Sequence, residues 1–261
     1  MLPSALGRWD EIAARLQGRR LVLFLDYDGI LSPIAPLPEL ATLPGETRQV
    51  LRRLAARFPM AILSGRGRED VASLVGLPGL TYAGSHGFDI AGPPPKPGAP
   101  PLRLEVGEGV PERIDRAAEL LRRDLAGVAG VLVEPKRFAI SVHFRLVDER
   151  DVPRVERTVD AVLAAVPGLR KGYGKMLFEL RPDLDWDKGR ALLWLLDAFG
   201  LDRPEALPIF IGDDVTDEDG FRAVAGRGIG ILVSGEPRHT AAEYCLSDTD
   251  EVRELLDRLA T

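Results

Sequence analysis

Five consecutive apolar residues, Leu21–Leu25, leave a strand no polar side to turn toward water. A strand formed there is covered on both faces, as in a parallel sheet flanked by helices. The pattern recurs in "MAILSG" (60–65), "LTYAGSHG" (80–87), "LPIFIGDD" (207–214), "GIGILV" (228–233) and "EYCLS" (243–247). Segments with helical spacing lie between these runs: residues 44–58 carry Val50, Leu51, Leu54 and Phe58, and 69–76, 187–199, 217–225 and 250–260 read the same way. Strand, helix, strand at this spacing predicts a parallel, Rossmann-like α/β core with right-handed crossovers. A further helix is expected over residues 4–17.

The pattern breaks at "AGPPPKPGAPP" (91–101), where six of eleven residues are proline. Such a stretch cannot be regular structure and reads as a surface linker or an exposed hairpin tip. Beyond it come a helix (112–125), two strands (131–136 and 137–145), a second helix (151–166) and a strand (175–182). That order predicts an antiparallel sheet with both helices on one face. The expected organisation is a core of 1–101 and 183–261 with an inserted α/β cap domain over 102–182.

The chain has 261 residues, 45% of them hydrophobic and 28% charged, enough for a substantial core. A net charge of −6 argues against nucleic acid as the main partner. One cysteine, Cys245, permits no internal disulfide and suits a reducing compartment. No apolar segment approaches the roughly 20 residues needed to span a bilayer. The protein is expected to be cytoplasmic and monomeric, with a small molecule rather than a membrane or nucleic acid as its partner.

Three of the buried strands end in polar clusters: Asp26-Tyr27-Asp28-Gly29, Ser64-Gly65-Arg66 and Gly212-Asp213-Asp214. Open parallel sheets bind ligands beyond the carboxyl ends of their strands. Asp26 and Asp28, two apart on a strand, would share a face about 6.5 Å from one another. Carboxylates held that close repel unless a cation or proton lies between them. Mg²⁺ takes oxygen ligands and often shares them with a phosphate. Lys188 opens a helix behind Asp187, where a cation opposes the helix dipole by roughly 0.3–1 kcal/mol unless an anion is at hand. With Ser64 and Lys188 on phosphate oxygens, Asp26 can attack phosphorus to give an aspartyl-phosphate. Asp28 can protonate the leaving oxygen and later deprotonate a water.

The ordered set "DYDG", "LSGR", "WDKG" and "GDDVTDED" resembles the motifs of the haloacid dehalogenase-like (HAD) phosphatases. With "GSHGFDI", "ISVHFR" and "GKMLFELRP" added, nearly the whole chain resembles the trehalose-6-phosphate phosphatases. The resemblance implies Asp26 as nucleophile, Asp28 as acid and base, and Ser64 and Lys188 as phosphate holders. It implies Mg²⁺ held by Asp26, the Asp28 main-chain carbonyl and Asp213, with Asp214 and Asp217 close by, steadying the metal waters or Lys188. Gly29 would offer backbone to the substrate, and Arg66 would orient a loop or touch substrate. Ile30 stands where the family usually has Thr.

In the cap, Ser141, His143 and Arg145 alternate with Phe138, Ile140, Val142 and Phe144. Lys175, Glu179 and Arg181 oppose Met176, Phe178 and Leu180, and Glu134 and Lys136 share a face. A polar sheet face on an insertion able to close over the site suits a sugar. With the resemblance, Glu134, Lys136, His143, Arg145, Lys175 and Glu179 are expected sugar contacts, and His86 a contact to sugar or to the hinge. The expected reaction is Mg²⁺-dependent hydrolysis of trehalose 6-phosphate. The alternatives are another phosphosugar, such as sucrose phosphate or a glycosylglycerol phosphate, or a sugar-phosphate sensor without catalysis.

Overall fold

The computed structural model describes residues 2–34, 40–174 and 176–261. The chain forms two compact units, Met1–Leu104 with Trp186–Thr261, and Glu105–Asp185. It begins with α1 (Trp9–Leu16), β1 (Arg20–Leu25), α2 (Gly45–Ala55), β2 (Met60–Leu63), α3 (Arg68–Val75), β3 (Thr81–Gly84), β4 (Asp89–Gly92) and β5 (Leu102–Glu105). There follow α4 (Val110–Leu125), β6 (Leu132–Lys136), β7 (Ala139–His143), α5 (Val152–Ala165), β8 (Leu169–Gly174) and β9 (Leu177–Pro182). The chain ends with α6 (Lys188–Ala198), β10 (Ala206–Gly212), α7 (Glu218–Val224), β11 (Ile229–Val233), β12 (Tyr244–Leu246) and α8 (Thr249–Leu259).

The core sheet runs β12-β11-β10-β1-β2-β3-β4-β5. Every pair from β12 to β3 is parallel, and β3 pairs with β4 antiparallel. Its centre, β1, explains the unbroken apolar run. Leu21, Leu23 and Leu25 join a buried cluster with Ile12, Val50, Leu51, Leu54, Val71 and Leu255. Val22 and Phe24 join another with Leu192, Leu195, Phe210 and Phe221. Alternate residues thus enter opposite helical layers, and both layers are apolar. The fold is a doubly wound α/β core.

The second unit has a four-stranded sheet, β6-β7-β9-β8, antiparallel throughout. Both helices pack on this sheet and on each other, which puts them on one face. Their stripes (Ile114, Ala117, Leu121; Val155, Val159, Val162) are buried, as are Ile140, Val142, Phe178 and Leu180.

Several short elements differ from expectation. The first helix begins at Trp9 rather than near Ser4, because Ser4 instead bridges to Cys245 beside β12. The proline-rich 91–101 lies mostly between β4 and the edge strand β5, two strands that the sequence pattern does not predict. β8 was also unexpected. Among the described residues no helix is long and apolar enough to cross a membrane.

Phe210 of β10 and Phe221 of α7 are fully buried with ring centroids 5.3 Å apart. Replacing Phe221 with alanine is expected to cost about 3–5 kcal/mol, read from the urea midpoint at unchanged slope.

Candidate active site

The carboxyl ends of β1, β2 and β10 lie side by side, and the loop after each contributes a polar group. The chain leaves β1 at Leu25. Asp26 is almost fully buried, with Oδ1 accepting the Tyr27 N–H at 2.7 Å and Oδ2 accepting from Lys188 Nζ at 2.9 Å. Lys188 also donates to Asp217 Oδ1 at 2.7 Å. The lysine is 2% exposed and starts α6 behind its N-cap Asp187, whose side chain accepts the Arg190 N–H at 2.8 Å. The opposing helix dipole is therefore offset by two carboxylates.

Asp217 is fully buried at the end of a short 3-10 turn, Val215–Asp217. Its Oδ2 accepts the N–H groups of both Asp213 and Asp214 at 2.9 Å. One carboxylate so orders the loop after β10 and fixes the lysine. Gly212 makes room for it: a Cβ there would lie 2.4 Å from the Asp217 carboxyl carbon. Gly29 has φ +73°, and a Cβ on it would lie 2.2 Å from Asp213 Oδ2. The β1 and β10 loops therefore meet at a glycine that no other residue could replace without moving Asp213.

Asp26, Asp213 and Asp217 each bring an oxygen within 4.8 Å of the others. Lys188 supplies one positive charge against these three carboxylates, leaving two negative charges over (three minus one). Burial pushes the Asp26 carboxyl well up, against the pull of Lys188. Burial and then the Asp217 charge push Asp213 up to about 7. Burial opposes the Lys188 charge, but Asp217 and Asp26 outweigh it and hold the lysine protonated. A divalent cation would neutralise the excess, and the all-oxygen donor set suits a hard one such as Mg²⁺. Asp217 accepts three hydrogen bonds and Asp26 two; an ion held by Asp26 and Asp213 would leave the Asp217 contacts intact.

The other expected residues fall in two groups. Ser64 is buried; its Oγ accepts the Arg66 N–H at 3.1 Å, and its carbonyl accepts the His86 N–H at 2.9 Å. His86 is buried at φ +58° in the 3-10 turn Ser85–Gly87. Asp28 is bound through both oxygens by Arg66, each contact at 2.8 Å. Asp214 is exposed and accepts the Val215 N–H. Ile30 is fully buried in the apolar cluster with Leu25 and Leu31, so its side chain belongs to the core.

In the second unit, Glu134, Ser141, Glu179 and Gly172 form one row across the sheet. His143 Nε2 lies 2.8 Å from Glu134 Oε2, and Glu179 pairs with Arg181 at 3.4 Å. Lys136 is half-buried on the same face of β6 as Glu134. Arg145 lies past the end of β7 in an exposed turn rather than on the strand. Lys175 lies outside the described residues. One contributor escaped the sequence reading altogether: Arg238 donates to the carbonyls of Asp213 and Asp214 at 2.8 and 3.0 Å. Its targets are backbone atoms, which leave no mark on residue type.

Residues 24–250 match the family profile described as trehalose-phosphatase. A probable trehalose-phosphate phosphatase 9 of Oryza sativa subsp. japonica is 44% identical over 279 residues, covering 99% of this chain and 75% of its own. The crystal structure of a trehalose-6-phosphate phosphatase related protein superposes with TM-score 0.77 and 26% identity, covering 92% of this chain and 96% of that one. A haloacid dehalogenase-like hydrolase from Bacteroides thetaiotaomicron shares the fold alone, with TM-score 0.66, 17% identity, and coverage of 92% and 100%.

Asp217→Asn puts an amide where both oxygens now accept. In metal-free buffer it is expected to cost about 3–5 kcal/mol in chemical denaturation, as for breaking a buried ion pair. The exposed Asp214→Asn should stay within about 0.5 kcal/mol of wild type.

Proposed function

This chain belongs to the trehalose-phosphatase family, and on that premise we propose that it hydrolyses trehalose 6-phosphate to trehalose and phosphate through Asp26. The observation that carries the assignment of roles is the buried contact of Lys188 with both Asp26 and Asp217, beside an Asp213 that forms no ion pair of its own among the described residues. Lys188 pulls against the burial that pushes the Asp26 carboxyl up, and a divalent ion would add to that pull and favour the nucleophilic carboxylate.

In the first step an Asp26 oxygen bonds to phosphorus as the bond to the sugar oxygen breaks. Asp28 gives that oxygen its proton. Ser64 and Lys188 hold the phosphoryl oxygens through the change. Water then attacks the aspartyl-phosphate, Asp28 takes its proton, and phosphate leaves with Asp26 restored. Asp26, Asp213 and the Asp28 carbonyl would hold Mg²⁺, which supplies charge neutralisation for the phosphoryl group when bound. Asp214 and Asp217 support that loop.

For the sugar, the polar face of the second unit offers Glu134, Lys136, His143 and Glu179, with Arg145 and Lys175 as further candidates. A disaccharide with many hydroxyls suits this mixture of donors and acceptors. His86 and the Gly29 backbone are candidates on the core. The single cysteine supports a cytoplasmic setting, and the negative net charge supports a small-molecule substrate rather than nucleic acid.

Initial rates on a phosphosugar panel test the assignment. Trehalose 6-phosphate should be strongly preferred over sucrose phosphate and a glycosylglycerol phosphate. Activity should vanish after chelation and return with Mg²⁺. Asp26→Asn should keep the fold and lose turnover; wild-type rates in that variant would remove Asp26 from the nucleophile's role.

A further inference from the structure

Asp28 is held by a partner that is itself fixed from several sides. Arg66 reaches Asp28 Oδ2 through Nε and Oδ1 through Nη2, both at 2.8 Å, the parallel fork that only a guanidinium supplies. Its Nη1 donates to Asp70 Oδ2 at 3.2 Å, one turn further along α3. Its guanidinium carbon lies 5.5 Å from the centroid of the buried Tyr27 ring. Its backbone N–H donates to Ser64 Oγ at 3.1 Å, and its carbonyl accepts from the Ser85 N–H at 2.7 Å. The arginine side chain is 11% exposed, the Asp28 side chain 42%. The arginine is the fixed member of the pair, and the aspartate is the one with room to move.

We propose that Arg66 is a positioning residue: it parks the Asp28 carboxylate by both oxygens and presents it for proton transfer to the leaving oxygen and then from water. This rests on Asp28 being the acid and base. To carry a proton, one Asp28 oxygen must release its N–H contact while the other keeps the carboxyl in place. A two-point hold permits that, whereas a one-point hold does not. The rival role for Arg66 is to brace the Ser64 loop, which would affect phosphate binding and not proton transfer.

Leaving-group chemistry separates the two. A sugar alkoxide needs a proton to depart; p-nitrophenolate leaves with its electron pair unprotonated. Proton transfer from water is still needed to clear the aspartyl-phosphate. Arg66→Gln is therefore expected to lower trehalose 6-phosphate turnover by about 10–100-fold. With p-nitrophenyl phosphate in Mg²⁺ it should release the first equivalent of nitrophenolate at nearly the wild-type rate, then slow, giving a burst. Arg66→Lys, which keeps the charge without the fork, should show the same split to a smaller degree. An equal loss on both substrates in the first turnover, or no loss on either, would overturn the proposal. Asp28→Asn is the control for the underlying reading. If it shows no leaving-group split, Asp28 is not the acid. If it shows the split and both Arg66 variants do not, the fault lies with Arg66 alone.

Discussion

The buried contact between Lys188 and the carboxylates of Asp26 and Asp217 is the interaction from which the site is built. An ammonium in the first turn of α6 and a carboxylate just past β1 would each be costly to bury alone. Together, with Asp217 between them, they tie the start of α6 to the ends of β1 and β10. The tie spans 162 residues of chain from Asp26 to Lys188, so the proposed nucleophile is placed by the closed fold and not by its local loop. The same arrangement leaves Asp213 near the other carboxylates with too little positive charge, which would favour a divalent ion there.

The core was readable because its central strands are buried on both faces. β1, β2, β10 and β11 are short unbroken apolar runs, and their residues feed two apolar layers in alternation. The signal fails at the edges. β4 is four residues ending in glycine, β5 alternates as Leu-Arg-Leu-Glu, and β8 reads Leu-Arg-Lys-Gly-Tyr-Gly. β5 and β8 are edge strands with one pairing partner each and β4 is next to the edge, between β3 and β5, so backbone pairing more than a run of buried side chains defines them. β8 is recognisable only through its register with β9, which places Gly172 beside Glu179 and leaves Lys171 to meet Glu156 and Asp160 on α5.

The residue types at the site were also readable, since three strand ends carrying acids, a hydroxyl and a lysine in fixed order are rare together. What sequence could not supply was the pairing among them. Asp217 is expected near Lys188 or the metal waters, but residue type gives no sign that it also orders two backbone N–H groups. Arg238 acts on carbonyls, and Arg66, expected to orient a loop or touch substrate, shows its partner only when its fork is seen against Asp28.

Asp26 and Asp28 show how much depends on that pairing. Two apart, they are expected from strand geometry to share one face, though with different roles. The strand ends before either of them, and Gly29 turns the chain with a left-handed φ. Asp26 then points to a buried ammonium and Asp28 to a guanidinium near the surface. Attack on phosphorus needs a carboxylate that is held still and kept ionised. Proton transfer needs one that can gain and lose a proton as it moves between partners. In the proposed mechanism the two cations would meet these opposite demands: Lys188 is shared and enclosed, while Arg66 grips a carboxylate that solvent can still reach. One short loop therefore yields two chemically different acids, and the difference lies in their partners rather than in their own residue type.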